Sequence, residues 1–482
     1  MDLTIRAVAA PGKWCQEVTV EALAQAIPAA SVRQIAQRYR PAKGRERKLN
    51  VEATLWLVIG WHLFPRVSVA SVWRTLTQGL RLIWPAPEAV LASASALVYR
   101  RYRLGVRPVA ALFHAVCQPL ATREQVPSAF AFGGLRVVGV DGTVENVPES
   151  AANSRAFGRR GSQRGRSVYP QVLGVYLVEC ATHVIFEAGF WPATTSEHRV
   201  APRLLRAVQP DMLLLWDGGF HSVALLQAVQ ARHAQVIGRL PAHVKPPWVR
   251  RLADGSALAY LRTRRRGGPH GDPAARLLVR VVTYRLPATT AASPNAGTDA
   301  SAPPPPIRLV TTLLDPHQAP ARAVAALYHT RWAVEDTLDE LDTHQRLATR
   351  TLRSHLPVGV LQELYGLLLA HFAVRALMYQ AAVQSQQPPD RLSFVTAVQL
   401  VCEALPDFQL LAPVHWSARW ALLLGDLAHA RLPPRQMRTN PRVVKRRQSK
   451  FPQKPPGQRA SPRQPSAYAD AVVLLPTGDG LI

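Results

Sequence analysis

Apolar residues change their spacing along this chain, and each change marks a part. Up to about residue 105 the period is helical. VTVEALAQAI and SVRQIAQRYR have it, NVEATLWLVIGWHLF is apolar enough all round to be a buried helix, and SVASVWRTLTQGL starts behind a Ser cap. Near residue 134 the pattern turns to strands. LRVVGVDGT reads as a strand ending at a turn. YPQVLGVYLVE and HVIFEAGFW follow as strands, with a short turn between Cys180 and His183. SEHRVAPRLLRAVQ reads as a helix with Ser196 near its start. MLLLWDGGF is a fully apolar strand that stops at Asp217-Gly218-Gly219, SVALLQAVQARH a helix and QVIGRL a short strand. Three strands, a helix, a strand, a helix and a strand describe a mixed sheet flanked by helices.

From about 241 to 306 the pattern weakens. Strand-like pieces such as LLVRVVTYRL mix with Arg262, Arg264, Arg265 and Arg266, and PATTAASPNAGTDASAPPPP has the composition of a flexible linker. This segment reads as an insertion into the sheet domain. IRLVTTLLD resumes strand character. Tyr328 to Arg353 contains no Gly or Pro and reads as one long helix. At about 100° per residue, Leu327, Val334, Leu338 and Leu341 form a stripe that can pack on a core, and Tyr328, Arg331 and Glu335 share a second edge. That edge could line a cleft; the plain alternative is a solvated face with an incidental Arg–Glu pair. A helix from Val358 to about Gln380 closes the core. The expected organisation is a helical N-terminal domain over 1–105, an α/β core in two parts over 130–240 and 307–385, the insertion at 241–306, a helical region over 386–430 and a basic tail over 431–482.

Charge changes the picture. Lys and Arg total 58 against 31 Asp and Glu, a net +27 with a pI near 11.1. Bias toward Arg explains Arg over Lys but not why acids are so few. Such a field favours a polyanion, and nucleic acid is the commonest. The segment from Arg431 to Arg463 is rich in Pro, contains no acid and includes Arg442, Lys445, Arg446 and Arg447. It cannot form a packed core and suits phosphate contact by counterion release. Cys15, Cys117, Cys180 and Cys402 form no C-x-x-C pair, which argues against a zinc ribbon and a disulfide framework. The N-terminus has no charged-then-apolar signal pattern. The longest apolar run, around Leu361 to Met378, is interrupted by Glu363, His371 and Arg375 and reads as a buried helix rather than a membrane span. A cytoplasmic, nucleoid-associated protein with no membrane partner is expected.

Asp141 in VVGVDGT and Asp217 in LLLWDGGF each follow at least four apolar residues at the expected end of a strand. A charge there is costly unless something compensates it. An acid at the carboxyl end of a buried strand is commonly a metal ligand or a catalytic group. A turn-forming Asp before Gly is the ordinary alternative. Two such aspartates with a helical glutamate suit Mg²⁺, which few carboxylates hold. Two ions about 4 Å apart can promote in-line phosphoryl displacement.

In order, the pieces DGTVENVPESAANSRAFG, SEHRVAPRLL, LLLWDGGFHS, LVTTLLDP, YHTRWAVEDTLDELD, LRSHLPVGVLQELYGLLLAHFAVRALM and NPRVVKRRQSKFP resemble the DDE transposases of bacterial insertion sequences, in particular the insertion-sequence-four group. RKLNVEATLWLVIGWHLFPRVSVASVW is similar to that group's N-terminal domain, so the resemblance covers most of the chain. It implies an α/β, ribonuclease-H-like mixed sheet core with an inserted mainly β domain, and the longer interval from Asp217 to Glu335 fits such an insertion. It implies that Asp141, Asp217 and Glu335 are the catalytic, metal-holding triad, with Mg²⁺ as cofactor and Mn²⁺ as a substitute. Tyr328, Arg331 and Glu335 match the Y-x2-R-x3-E part of the group's Y-R-E-K signature, whose Tyr and Arg grip DNA phosphates. Where the signature carries lysine, this chain carries Asp342. Arg346 or Arg350 is the substitute on the following turns; the alternative is an impaired or domesticated copy that only binds DNA. The partners implied are double-stranded DNA, as element inverted repeats and as target, and a second copy of the chain in a synaptic homodimer. The activity implied is strand cleavage and transfer by a cut-and-paste route through a hairpin. A ribonuclease-H-like nuclease that cuts without strand transfer is the rival enzyme.

Overall fold

The apolar run around Leu361 lies inside a 28-residue helix, Pro357–Gln384, and this helix is the core of the first of two units in the computed structural model. The described residues are 23, 26–41, 49–83, 87–162, 165–262, 276–286, 305–347, 351–433 and 468–477. The first unit comprises Met1–Val208 and Trp332–Leu432, and the second Gln209–Arg331 and Pro433–Ile482. Pro357–Gln384 is long and apolar enough to cross a membrane, but 83% of its most apolar window is buried within the protein. Helix Val51–Leu63 packs along it. Asn50 caps Val51–Leu63 by accepting a hydrogen bond from the Ala53 N–H at 2.7 Å, and all but its first residue are buried. The two helices approach closely at Gly366, where a Cβ would lie 2.7 Å from Val58 Cγ1. Helix Val69–Leu76 begins behind Ser68, whose side chain accepts from the Ser71 N–H. Arg101, in helix Ala94–Leu104, and Arg353, just before Pro357–Gln384, stack on Trp61 of Val51–Leu63, at 4.0 and 3.5 Å from the ring centroid.

The strands of this unit are β1 (Phe130–Ala131), β2 (Leu135–Asn146), β3 (Gly161–Ser162), β4 (Gly165–Arg166), β5 (Gln171–Glu179) and β6 (Val184–Pro192). β5 lies between β2 and β6 with antiparallel pairing throughout. Two sequence expectations are corrected here. β2 does not end at Asp141. It runs on with Asp141 opposite Tyr176 and Asn146 opposite Gln171, because the partner strand supplies ladder hydrogen bonds through Gly142 and Thr143. SEHRVAPRLLRAVQ is not one α-helix: a single turn, Glu197–Val200, passes into a 3-10 helix at Ala201–Ala207. Pro202 lacks an N–H and stops the α ladder.

In the second unit the strands are β7 (Met212–Trp216), β8 (Gln235–Arg239), β9 (Trp248–Arg251), β10 (Ala257–Arg262), β11 (Arg276–Arg285), β12 (Ile307–Thr311) and β13 (Val473–Leu475). β7 pairs with β8 in parallel, and the order continues β12, β11, β10, β9 in antiparallel pairs, with β13 also on β11. The inserted strands therefore extend this unit's sheet. Arg280 on β11 is fully buried and holds the extension together. It pairs with Asp254, donates from Nε to Ser256 Oγ at 2.8 Å and from Nη1 to the Ala319 carbonyl at 2.6 Å. The low-complexity linker up to residue 304 and the basic run from residue 434 to 463 lie outside the described residues.

The stretch expected as one long helix is four consecutive pieces. They are an α-helix at Ala321–Tyr328, a 3-10 turn at His329–Arg331, an α-helix at Trp332–Asp339 and a π turn at Glu340–Gln345. Val334, Leu338 and Leu341 of the expected stripe are buried. The uniform 100° step that placed Tyr328, Arg331 and Glu335 on one edge does not hold across the 3-10 turn.

Candidate active site

Asp141 lies in the middle of β2, half-buried, and its Oδ1 accepts the Gly142 N–H at 2.8 Å. Side chains alternate along a strand, so Gly139, Asp141 and Glu145 share one face. Gly139 is the contact that organises this face: a Cβ there would collide with Val334 Cγ2. Val334 belongs to helix Trp332–Asp339 and precedes Glu335. The missing side chain lets this helix settle directly on β2, so Asp141 and the segment carrying Glu335 are held against each other. Glu335 is half-buried. Two carboxylates that keep contact with water, backed by a packed strand and helix, fit a hard cation that retains waters and phosphate oxygens. Among the described residues no group of three or more His, Cys, Asp or Glu is arranged as a ready metal cluster.

Beyond Asp141 on the same face, Glu145 is buried and accepts a hydrogen bond from Arg346 Nη1. Arg346 also reaches Asp342 Oδ1 at 3.4 Å. Arg346 is only 8% exposed. The sequence offered it as a phosphate ligand on the helix surface; in the fold it is spent on an internal ion pair. Asp342 keeps its carboxyl protonated far above the usual range. Burial is the largest cause, a hydrogen bond with Glu145 and repulsion from it add to the shift, and Arg346 opposes them, so that the value is pushed up to about 9. About a third of the Asp342 side-chain surface remains exposed, which moderates the effect. On the other side of the π turn, Glu340 sits in a buried knot. Arg375 pairs with it through Nε at 2.9 Å and through Nη2, His183 Nδ1 lies 2.9 Å away, and His371 Nε2 lies 3.1 Å away. Burial raises the Glu340 pKa, but Arg375 and His183 outweigh it and hold the carboxyl well below its usual range.

In the second unit, Asp217 follows β7 and caps the 3-10 turn Gly218–Phe220, its Oδ1 accepting the Gly219 N–H at 2.8 Å. Tyr328 is buried, and its hydroxyl donates to the Trp216 carbonyl at 3.2 Å, immediately before Asp217. Burial first, and then the nearby charge of Asp217, push its phenol up to about 12 against the pull of Arg331 and Arg239. Tyr328 thus braces the end of β7, with Arg331 and Arg239 close to its hydroxyl. Arg350, Arg442, Lys445, Arg446 and Arg447 lie outside the described residues.

Sequence reasoning missed Gly139, Glu145 and Glu340. Glu145 was legible only by continuing β2 past Asp141 and counting alternate positions. Glu197, in a stretch shared with the resembling group, lies with its carboxyl 3.1 Å from where a Gly142 Cβ would be. That is the sheet face opposite Asp141. Trp216 is buried and Trp191 half-buried, whereas Trp332 is 39% exposed.

Residues 133–373, half of the chain, match the family described as Transposase DDE domain. This chain belongs to the DDE transposases. Residues 17–114 match the family described as Insertion element 4 transposase N-terminal. It is 29% identical over 424 residues to the transposase InsG for insertion sequence element IS4 of Escherichia coli K12, covering 85% of this chain and 88% of that one. It is 25% identical over 199 residues to the putative transposase InsZ of the same organism, covering 41% of this chain and 63% of that one. Among solved structures it is similar to piggyBac transposase in a synaptic complex with hairpin DNA, at a TM-score of 0.41 and 10% identity over 86% of this chain and 84% of that one. The mixed α/β sheet with flanking helices is the ribonuclease-H-like core of a DDE transposase, and the helical N-terminal part is the one its family expects.

Proposed function

We propose that this transposase works by cut-and-paste, with Asp141, Asp217 and Glu335 as the acids of the reaction. The observation that carries the reading is the seating of the Glu335 helix on the Asp141 strand through Gly139 and Val334. Water cuts one strand at the tip of an element inverted repeat. The freed 3′-OH then attacks the opposite strand, giving a hairpin, and opening of the hairpin is followed by strand transfer into target DNA. Asp141, Asp217 and Glu335 would hold Mg²⁺, which supplies charge neutralisation at the scissile phosphate and acidifies the attacking oxygen. β2 and helix Trp332–Asp339 fix two of these carboxylates before substrate arrives, so little reorganisation remains for the chemical step. Arg331 pairs with a backbone phosphate, and its fork geometry suits that role. The wide excess of basic residues and the tail segment with Arg442, Lys445, Arg446 and Arg447 supply non-specific grip on DNA. A homodimer brings two element ends together.

The test is the variant Asp217→Ala. Cleavage of inverted-repeat DNA should fall at least about 10³-fold, as expected when a group needed in the transition state is removed, while DNA affinity stays near wild type. Equal loss of both would reject the role. Asp342 at the lysine position motivates a second reading, a copy that binds DNA without cutting it. Tight binding with no product in Mg²⁺ or Mn²⁺ would favour that reading.

A further inference from the structure

Where the family resemblance expects a lysine, this chain has Asp342, and the nearest cation along the segment that could replace it is Arg346. The fold turns Arg346 inward. We propose that Arg346 is a positioning residue: bridged between Glu145 on β2 and Asp342 in the π turn, it clamps the Glu335 segment onto the Asp141 strand and does not touch DNA. This rests on the reading of Asp141 and Glu335 as reaction acids.

Four observations carry it. Arg346 is 8% exposed, and its guanidinium is already engaged by Glu145 and Asp342, so a phosphate would have to displace two carboxyl partners. Glu145 lies on the Asp141 face of β2, so the clamp closes on the strand that carries the acid. Asp342 lies in the turn that directly continues the helix of Glu335. The turn is fastened on its other side by the pairing of Glu340 with Arg375, His183 and His371. A π turn with both flanks tied to buried partners cannot slide along β2, and the seating of Val334 on Gly139 is thereby locked. Tyr176, opposite Asp141, lies over Gly174 and has Glu145, Asp342 and Arg346 as its charged neighbours, filling the space between acid and clamp. The departure from lysine and the inward arginine are then one feature. A lysine at 342 would place a second cation against Arg346 with Glu145 to share between them.

The experiment measures DNA affinity, its salt dependence and the cleavage rate of bound complexes in the full chain, on inverted-repeat DNA with Mg²⁺. The variants are Arg346→Met, Arg346→Lys, Asp342→Lys and the double variant Glu145→Gln/Arg346→Met. Asp141→Asn runs alongside. Arg346→Met should leave Kd within about twofold and the salt slope unchanged, yet slow cleavage roughly 10–100-fold, the usual effect of a small misplacement. Arg346→Lys should recover part of the rate, since an ammonium still reaches Glu145. Asp342→Lys should slow cleavage without tightening binding. The double variant removes both buried charges together, so it keeps the fold where Arg346→Met alone unfolds, and it should show the same loss of rate at unchanged Kd. Three results would overturn the proposal. The first is a salt slope smaller by about one phosphate in Arg346→Met, which would make Arg346 a DNA ligand. The second is tighter binding or faster cleavage in Asp342→Lys. The third is wild-type cleavage in the double variant. If Asp141→Asn still cleaves, the active-site reading itself has failed; if it is inactive while Arg346→Met is normal, only the clamp has.

Discussion

At the scale of single residues, Gly139 and Asp342 contribute most to the account. Gly139 is required by contact rather than by backbone conformation, because Val334 occupies the space a Cβ would need. Gly139→Val should therefore lift the Glu335 helix off β2, costing about 1–3 kcal/mol by overpacking. Urea unfolding would report that loss, and cleavage should fall further than DNA binding. Unchanged stability would contradict the close approach. Asp342 makes a statement about pH. In the unfolded chain its carboxyl ionises near its ordinary 3.8, whereas in the fold it keeps its proton up to about 9. The stability this contributes is complete below the ordinary value and is lost as pH rises toward 9. Asp342→Asn has no proton to lose, so its melting temperature should gain on wild type as pH climbs from 5 to 9. Parallel curves would contradict the shift. Neither residue could be valued from the sequence. A Gly inside VVGVDGT looks like turn punctuation, and an Asp on a charged helix looks solvated; only the partner across the contact assigns the role.

At the scale of elements, apolar runs were legible and their ends were not. The strands of LLLWDGGF, QVIGRL and IRLVTTLLD and the helices Val51–Leu63 and Pro357–Gln384 lie where their periodicity puts them. β2 overran its expected end because pairing with β5 carries a Gly-Thr pair that would end an isolated strand. The long helix broke into four pieces without any Gly or Pro, because the interruption answers to tertiary partners. Glu340 turns into a buried knot, and Gln345, five positions on, donates to the Leu367 carbonyl at 3.3 Å; a π turn brings such residues toward one side, where an α-helix would set them about 140° apart. The knot gives its own prediction. Arg375→Met leaves Glu340 buried against two histidines without its main partner, which should cost about 3–5 kcal/mol. Equilibrium unfolding would measure this, and a loss below about 1 kcal/mol would show that the histidines suffice.

At the scale of the whole molecule, the sequence carried two messages that the fold alone does not. The first is charge: +27 over 482 residues is an address for a polyanion. The second is the order of motifs, which pointed to the transposases before any geometry. The fold adds a contact between the strand of Asp141 and the helix of Glu335, which is set into the missing side chain of Gly139, and the proposed role of the two acids rests on it. The most direct test is cleavage of DNA bearing the element's inverted repeats, with Mg²⁺ and with EDTA, comparing wild type with Glu335→Ala. The account predicts metal-dependent cutting at the repeat tip that EDTA and the variant both abolish, with DNA binding kept by the variant. Cutting that survives either EDTA or Glu335→Ala would contradict it.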